Sequence, residues 1–276
     1  TQSRSSAASD VYKRQAWGLS MEHARAVNVE GARRVAQLAA EQESRLVMIG
    51  GYMLKNNEHL QRIGIDPGHP ELTDWPAIYR QVGAYEASKL EAHFATLGFM
   101  NAKGGEMTVV HPATVCGHSR TGHIADGQPL VDLIRNLVQG KLAAVPGTAA
   151  HWLPLVTVDY LVELVAACAF DPSMAGQELL ALDAQSPGLQ ELLTQVAQPL
   201  GLKAPGHHIP LRLLKWLLGI RPIARFLNTS AEALDFIQTT RFDTTEVGQF
   251  AQRHGITKPD IPVSYTHLRA HETRED

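Results

Sequence analysis

The chain has 276 residues, of which 44% are hydrophobic and 19% charged, and its formal net charge is −3. This composition is typical of a folded protein with one large or two small domains, and the near-neutral charge gives no reason to expect a nucleic-acid partner. Two cysteines exclude a disulfide framework and favour a cytoplasmic location. No apolar run has the length of a membrane span and no signal peptide is visible, so no membrane partner is expected.

The two ends of the chain do not suit the sequence between them. The N-terminal SDVYKRQ and the C-terminal VSYTHLRAHETRED have neither periodicity nor caps, and both are similar to translated adapter or linker sequence. Residues 1–15 and 263–276 are therefore predicted to be foreign, with disordered natural tails as the alternative. The first interpretation implies that the chain is a fragment of a longer protein.

The first half of the chain alternates predicted helices and strands. From Ser20, a plausible N-cap, an apolar stripe of helical period that includes Val27 and Val35 predicts a helix to about residue 42. RLVMIGG is a short strand that ends in two glycines, and turn signals predict irregular structure over residues 52–80. A second helix follows over about residues 83–97, and EMTVVHPATVCG is a second buried strand. This order is typical of a parallel sheet with crossover helices.

The second half mixes short strands with helices. Strands are predicted in AAVPG, WLPLVTV and GQELLALD, and helices in DGQPLVDLIRNLVQGK, from Asp159 onward and in GLQELLTQVAQPLGL. From Pro210 short helices are predicted in LRLLKWLLG, IARFL, SAEALDFIQ and TTEVGQFAQRHG. The segment LRLLKWLLGIRPIARFL is basic and amphipathic, which suits either a membrane surface or, as we expect, a small subdomain that covers a substrate.

The stretch GAYEASKLEAHF places Tyr85 and Lys89 four residues apart on the second helix, and therefore on one face. A free phenol has a pKa of about 10, and a neighbouring ammonium lowers it. Such a tyrosine can exchange a proton while a hydride moves to or from an adjacent carbon. A solvated helix pair would explain the spacing alone. The context favours chemistry, because the strand ends at Gly50 and Pro112 lie where open parallel sheets bind ligands.

Two further features concern side chains that could hold ligands. Asn28 lies within the first predicted helix, where asparagine is unfavourable unless its side chain has a role, and a polar contact between helices is the alternative. Thirteen histidines raise the question of a metal. Those at 118, 123, 207 and 208 lack Cys, Asp or Glu companions at ligand spacing, so no metal site is predicted.

Six segments of the chain resemble successive parts of the extended short-chain dehydrogenase/reductase family, which includes nucleotide-sugar epimerases, dehydratases and reductases. The segments are NVEGARRVAQLAAEQ, RLVMIGGYML, YEASKLEA, TVVHPATVCG, LPLVTVDYLVELVAACA and GQELLALD. The resemblance implies an α/β fold, a Rossmann-type doubly wound parallel sheet without its N-terminal strands, and a small, mostly helical C-terminal substrate subdomain. Residues 16–170 then form the rest of the dinucleotide-binding domain, and residues 171–262 form the substrate-binding region, interleaved with it.

The resemblance also implies roles for individual residues. Tyr85 is the general acid/base, and Lys89 lowers its pKa and binds the nicotinamide ribose of NAD or NADP. Asn28 holds a water in a proton relay. Pro112 and the backbone of Ala113–Val115 contact the nicotinamide, and Tyr85 and Gly50 also contact the cofactor.

The chain departs from the family pattern at two points. The catalytic serine or threonine of the family falls at the end of the first strand, where this chain has Gly51 or, in a shifted alignment, Gly50. Tyr52 and Thr114 are the candidates to replace the lost hydrogen-bond donor. The GxxGxxG turn that holds the pyrophosphate at a helix N-terminus is not in this sequence, so the fragment is expected to be inactive by itself.

The function implied by the resemblance is that of an NAD(P)-dependent oxidoreductase, which acts on a small hydroxy or carbonyl substrate by Tyr–Lys acid/base chemistry. One alternative is a nucleotide-sugar epimerase or dehydratase, which Arg212, Arg221 and Arg225 keep open although they form no obvious diphosphate-binding cluster. The other is a catalytically silent NAD(P)-binding scaffold, which the missing hydroxyl motivates.

A homodimer is compatible with the resemblance. Members of the family often dimerise through two helices, one of which carries the tyrosine. Leu90, Phe94 and Leu97 on that helix are therefore candidates for a contact between two copies.

Overall fold

The structure is a computed structural model. It describes residues 20–124, 128–183, 185–227, 229 and 231–259. The two ends that the sequence analysis interprets as foreign, residues 1–15 and 263–276, lie outside the described residues.

The first half of the described chain alternates helices and strands, as the sequence predicts. Its elements are α1 (Met21–Ala24), a π-helical turn (Arg25–Val29), α2 (Glu30–Glu41), β1 (Leu46–Ile49), a 3-10 turn (Tyr52–Lys55), α3 (Asn57–Ile63), a 3-10 turn (Pro70–Leu72), α4 (Trp75–Lys103), β2 (Met107–Pro112) and β3 (Thr114–Val115).

The second half has shorter strands and more helices. Its elements are α5 (Pro129–Val138), β4 (Val145–Pro146), β5 (Leu155–Val156), α6 (Val158–Phe170), a 3-10 turn (Pro172–Met174), β6 (Glu178–Ala181), α7 (Leu189–Ala197), a 3-10 turn (Gln198–Leu200), β7 (His208–Ile209), α8 (Leu211–Leu218), α9 (Arg221–Leu227), a 3-10 turn (Glu232–Phe236) and α10 (Thr245–Arg253).

A three-stranded parallel sheet with the order β1-β2-β6 lies at the centre. The register pairs Leu46 with Met107 and Val109 with Glu178. Parallel neighbours require a crossover, which α4 supplies between β1 and β2. β2 is almost wholly buried, as expected for a central strand covered on both faces. β1 is only partly buried, and its other edge has no strand partner among the described residues.

The two halves of the chain share one core. β6 and α10 belong to the region predicted as substrate-binding, yet β6 pairs with β2 and α10 packs on β6. The largest apolar cluster joins side chains of β2, β6, α6 and α10. Two small parallel sheets, β3-β5 and β4-β7, carry the chain toward the C-terminal helices. The α/β fold class is thus confirmed, whereas the domain boundary at residues 170/171 stays a prediction.

The segment between the first strand and the tyrosine helix is more regular than predicted. α3 begins after Asn56, whose side chain accepts a hydrogen bond from the backbone of His59 at 3.1 Å, and ends at Gly64, which has φ 96°. These are typical N-cap and C-cap residues. The tyrosine helix α4 is also longer than predicted, and it is interrupted at Gly83.

The first predicted helix begins at Ser20 as expected, since the Ser20 hydroxyl accepts a hydrogen bond from the backbone of His23. Its predicted apolar stripe is only partly the buried face. Ala36 of the stripe is buried as expected, whereas Val27 and Val35 are exposed. Ala24 and Val29, which are outside the predicted stripe, are buried as well. The π-helical turn changes the rotation of the helix in its middle, and Val35 lies on the open side of β1.

No helix in the described part of the chain is both long and apolar enough to cross a bilayer.

Candidate active site

Tyr85 and Lys89 lie at the start of the part of α4 that follows Gly83. Gly83 has φ 84° and ψ 168°, a backbone conformation that is essentially restricted to glycine. Helical spacing places both side chains on one face. The Tyr85 ring lies 6.3 Å from that of Phe236, in the segment that precedes α10. Tyr85 therefore lies where the central sheet region meets the C-terminal part of the chain.

The electrostatics of this pair differ from the prediction. Burial raises the pKa of the Tyr85 phenol, although the sequence predicts that Lys89 lowers it. The Lys89 side chain lies along a groove of about 250 Å³ and keeps much of its surface accessible to solvent. Even so, loss of solvation by the surrounding protein lowers the pKa of its ammonium. In this structure desolvation, rather than attraction between the two groups, determines the pKa of Tyr85.

Asn28 is connected to the tyrosine helix through a residue that the sequence analysis missed. Its Nδ2 donates a hydrogen bond to Ser88 Oγ at 2.8 Å, and Ser88 Oγ donates one to the carbonyl of Tyr85 at 3.0 Å. Ser88 is buried and lies between Tyr85 and Lys89 in sequence. The polar contact between helices, which was the alternative for Asn28, is therefore present, and the water relay stays a prediction.

A second contact holds the same two elements together. Arg25, in the π-helical turn with Asn28, donates two hydrogen bonds to the buried carboxylate of Glu91, from Nη2 at 2.6 Å and from Nε at 3.0 Å. The Tyr79 hydroxyl donates a third to Glu91 at 2.9 Å. A bidentate arginine–carboxylate pair fixes orientation as well as distance. It therefore fixes the position of Asn28 relative to α4.

Gly50 and Gly51 follow β1 directly and have different surroundings. Gly50 continues the strand, since its N–H donates to the Val110 carbonyl at 2.8 Å. A Cβ atom at Gly50 would lie 2.6 Å from Nδ1 of the buried His111. A Cβ at Gly51 would meet nothing within 4 Å, and the backbone there is extended, with φ −162°. Only Gly51 has room for the hydroxyl residue of the family.

The two candidates for a substitute donor also differ. Tyr52 is fully buried and its hydroxyl donates to the Phe236 carbonyl at 3.0 Å, so this proton is already engaged. Thr114 Oγ1 is buried and has no hydrogen-bond partner among the described residues. Thr114 follows Ala113, whose N–H donates to the Ala181 carbonyl at 2.9 Å. An available hydroxyl therefore lies at the carboxyl end of β2.

The other residues predicted to contact the nicotinamide are distributed around this strand end. Pro112 is the last residue of β2, Ala113 is buried beside it and Val115 ends the short strand β3. Their predicted cofactor contacts stay predictions, as does that of Gly50.

A polar cleft of about 570 Å³ lies between the tyrosine helix and the C-terminal part. Gln81, which precedes the break at Gly83 and is four residues before Tyr85, lines it together with Arg62 and Arg212. Lys215 also lines the cleft and forms an ion pair with Asp235. The sequence shows no arginine cluster, because Arg62 lies far from Arg212 along the chain.

The proposed dimer contact requires a correction. Leu90 is only 2% exposed and packs within its own chain against the apolar side chains of α3. It is therefore not available to a second copy. Phe94 and Leu97 are partly buried as well. As for metals, no group of three His, Cys, Asp or Glu residues in the described ranges could hold an ion.

The parallel sheet, its crossover helices and the Tyr-x-x-x-Lys helix beside the strand ends define the extended short-chain dehydrogenase/reductase class, as the sequence indicates. The sequence profile of a family of NAD-binding domains, described as male sterility protein, matches residues 15–165. This is more than half of the chain, and the chain belongs to that family. NAD or NADP is therefore confirmed as the class of cofactor. No curated protein matches the chain.

Solved structures of this class share the fold at low sequence identity. The terminal R domain of the myxalamid PKS-NRPS pathway has a TM-score of 0.64 and 19% identity, and the match covers 91% of this chain and 64% of that one. The aureusimine cluster reductase domain has a TM-score of 0.58 and 16% identity, and the match covers 91% of this chain and 65% of that one. A UDP-N-acetylglucosamine 4-epimerase from Methanobrevibacter ruminantium M1 has a TM-score of 0.56 and 11% identity, and the match covers 95% of this chain and 76% of that one. The chain thus spans about two thirds of the reductase domains that it matches.

Proposed function

We propose that the chain is the proton-transfer and substrate-binding part of an NAD(P)-dependent oxidoreductase that acts on a small carbonyl or hydroxy substrate. The observation that carries this proposal is the position of Tyr85. It lies at the start of a helix that follows the break at Gly83, contacts Phe236, and is close in sequence to Gln81 and Val82, which line the polar cleft. Two of the matched structures are reductase domains, which supports a reductase over other members of the class.

The residues present fit the nicotinamide end of the cofactor. Lys89 borders an accessible groove with Asn28, and the Thr114 hydroxyl, at the start of β3, is buried without a hydrogen-bond partner in the described part of the chain. Lys89 would bind the ribose, and Thr114 would donate or accept a hydrogen bond at the nicotinamide or the substrate oxygen. NAD(P)H supplies the hydride when it is bound.

Tyr85 then acts on the oxygen of the substrate. Its raised pKa keeps the phenol protonated at neutral pH, which is the form needed to donate a proton to a carbonyl oxygen during reduction. Oxidation of an alcohol would require the phenolate instead. Approach of the substrate by the polar cleft would expel water from Tyr85.

Cofactor binding and turnover test the proposal separately. The test uses a form of the chain extended at its N-terminus by a glycine-rich dinucleotide-binding segment of the family, because the chain itself contains no GxxGxxG turn. NADH and NADPH are titrated by fluorescence against this extended form, and its turnover is measured with a panel of small aldehydes and ketones. Tyr85→Phe is expected to retain binding and to lose turnover by about 100-fold or more. Lys89→Met is expected to weaken binding. Tyr160→Phe, a buried tyrosine on α6, is the matched control and leaves both unchanged. Equal turnover by Tyr85→Phe would contradict the proposal.

A nucleotide-sugar epimerase or dehydratase is the second candidate, and the cleft favours it. Arg62 and Arg212 line the same cleft, and two arginines can hold the two phosphates of a nucleoside diphosphate. Protection of the chain against thermal unfolding by UDP-sugars, lost in Arg62→Ala and Arg212→Ala, would support it. Protection by none of them would remove this candidate.

A silent NAD(P)-binding scaffold is the third candidate, and the absence of a hydroxyl at Gly51 favours it. It predicts cofactor binding with no turnover, and no gain of turnover when serine replaces Gly51.

A further inference from the structure

A long segment of the C-terminal part carries charge of one sign only. Residues 192–231 contain no aspartate or glutamate, although the chain has 28 acidic residues and a net charge of −3. The same segment contains Lys203, Arg212, Lys215, Arg221 and Arg225. Of these, Lys215 is paired with Asp235, and the other four are exposed. The segment is therefore basic within a weakly acidic protein.

Large apolar side chains lie among these cations. In and after α8, Leu213 is 47% exposed, Trp216 67% and Ile220 40%, and Phe226 of α9 is 58% exposed. Leu213 and Trp216 are three residues apart, so they share the outward face of α8. The Nζ of Lys141 lies 5.0 Å from the centre of the Phe226 ring and adds a further cation at the edge. Exposed apolar residues that cluster in this way mark an interaction site.

The fold does not need these side chains. The inward residues Leu214 and Leu217 of α8 and Ile223 and Leu227 of α9 already line an apolar cavity of about 220 Å³. The expected substrate-covering subdomain is thus formed by the inner faces of α8 and α9. The outer faces are left for a second role.

We propose that the outer faces of α8 and α9 dock on the surface of a bilayer that contains anionic phospholipid. The docking surface consists of Leu213, Trp216, Ile220, Arg221, Arg225 and Phe226. The arginines attract anionic head groups, and the apolar side chains enter the boundary between head groups and acyl chains. Tryptophan favours this depth because its ring is apolar and its N–H is polar. The helices lie on the bilayer and do not cross it.

The charges argue against a second copy of the chain as the occupant. A two-fold contact would place this surface against itself and bring the arginines of both copies together without an acidic partner. They also argue against nucleic acid, because the centre of the surface is aliphatic and aromatic, and an exposed leucine and isoleucine gain nothing from phosphates. An anionic bilayer satisfies both the charges and the apolar centre. The inference is independent of the proposed enzymatic function.

The test uses the full chain and vesicles. Flotation is compared between vesicles of phosphatidylcholine and vesicles with roughly one third phosphatidylglycerol, at low and high salt. We expect binding to the anionic vesicles that decreases as salt rises. Arg221→Glu combined with Arg225→Glu is expected to reduce binding by about tenfold or more. Trp216→Ser should weaken binding and remove the blue shift of tryptophan fluorescence that lipid induces.

Matched controls distinguish this surface from general stickiness. Arg34→Glu combined with Lys103→Glu reverses two exposed charges elsewhere, and Phe170→Ser removes a phenylalanine that is 86% exposed on α6. These variants should bind vesicles like the wild type. Absence of binding, or equal loss in the control variants, would overturn the proposal. So would a wild-type dimer that Trp216→Ser converts to a monomer, because the surface would then be a contact between copies.

Discussion

Gly50 and Gly51 are neighbours in sequence, yet a side chain has room at only one of them. A Cβ at Gly50 would overlap His111 Nδ1 at 2.6 Å, whereas a Cβ at Gly51 meets nothing within 4 Å. In the N-terminally extended form, we predict that Gly51→Ser raises kcat/KM for carbonyl reduction by about tenfold or more, since one oxyanion donor is usually worth at least that much. It should leave the thermal unfolding midpoint nearly unchanged.

Gly50→Ser is the control for this prediction. It must displace the ring of a fully buried histidine, and overpacking of this kind typically costs about 1–3 kcal/mol. We expect a lower unfolding midpoint and no gain in rate. If Gly51→Ser folds normally and changes no rate in a chain that binds NAD(P)H, the silent scaffold is favoured over a weakened enzyme.

At the level of single residues, the sequence identifies residue types that are unusual at their position in a secondary-structure element. Asn28 inside a helix and the Tyr85/Lys89 spacing are such signals. Ser88 gives none, because a serine on a helix becomes informative only when Asn28 is brought 2.8 Å from its hydroxyl. The raised pKa of Tyr85 is also invisible in sequence, since it follows from burial against distant parts of the chain.

The tyrosine helix depends on its break at Gly83. With φ 84° and ψ 168°, Gly83 occupies a region that other residues enter only with strain of about 1–3 kcal/mol. We predict that Gly83→Ala lowers the free energy of unfolding by about this amount and reduces turnover more than cofactor binding, because Tyr85 is displaced. Urea denaturation and steady-state kinetics measure the two effects.

Gly98 provides the matched control on the same helix. It lies in regular helix, is exposed, and a Cβ there would meet nothing within 4 Å. Gly98→Ala should therefore stabilise the chain by about 0.5–1 kcal/mol. If Gly83→Ala and Gly98→Ala change the free energy of unfolding in the same direction, the helix does not require the glycine-specific conformation at Gly83.

Elements were predictable where periodicity was long and caps were clear. The strands β1, β2 and β6 and the helices α6, α7 and α10 follow their apolar patterns. The missed helix α3 is only seven residues long, and its N-cap residue Asn56 was interpreted as a turn signal. The π-helical turn at Asn28 could not be predicted, because periodicity does not register one extra residue in a helical turn. The 3-10 turn over Glu232–Phe236 was predicted as a helix, because a segment of five residues is too short for its apolar pattern to distinguish the two helix types.

At the scale of the molecule, the side of β1 away from β2 is open. Val35 and Ile49 line a groove there, both are exposed, and the outer edge of β1 has no strand partner among the described residues. Unpaired strand edges beside apolar surface promote association. We predict that the 276-residue chain self-associates with rising concentration in sedimentation velocity experiments, and that Val35→Lys combined with Ile49→Lys suppresses this. Leu72→Lys with Phe170→Lys, two exposed apolar residues elsewhere, should not.

A polar cluster beneath the strand ends connects three elements of the fold. His93 Nε2 of α4 lies 3.7 Å from Glu178 Oε1 of β6, and His111 Nε2 of β2 lies 3.3 Å from Glu178 Oε2. Lys55 Nζ contacts the same carboxylate at 3.1 Å. Burial, and then the nearby His111, lowers the pKa of His93 to about 4. The contact with His111 lowers the pKa of Glu178 to about 2, although its burial acts in the opposite direction.

These shifts predict loss of stability in acid in two steps. Between pH 6.5 and about 4 the unfolded chain protonates His93 while the folded chain does not, so stability falls by about 3 kcal/mol over this interval. The contribution of Glu178 is complete above the ordinary carboxyl pKa of 4.5 and is lost as pH falls toward 2. In urea denaturation, the free energy of unfolding of His93→Gln should change little between pH 6.5 and about 4. It should still fall as the pH decreases from 4.5 toward 2. His69 is exposed, so His69→Gln should have the same pH dependence of stability as the wild type. If the stability of His93→Gln also falls like that of the wild type between pH 6.5 and 4, groups other than His93 cause the loss.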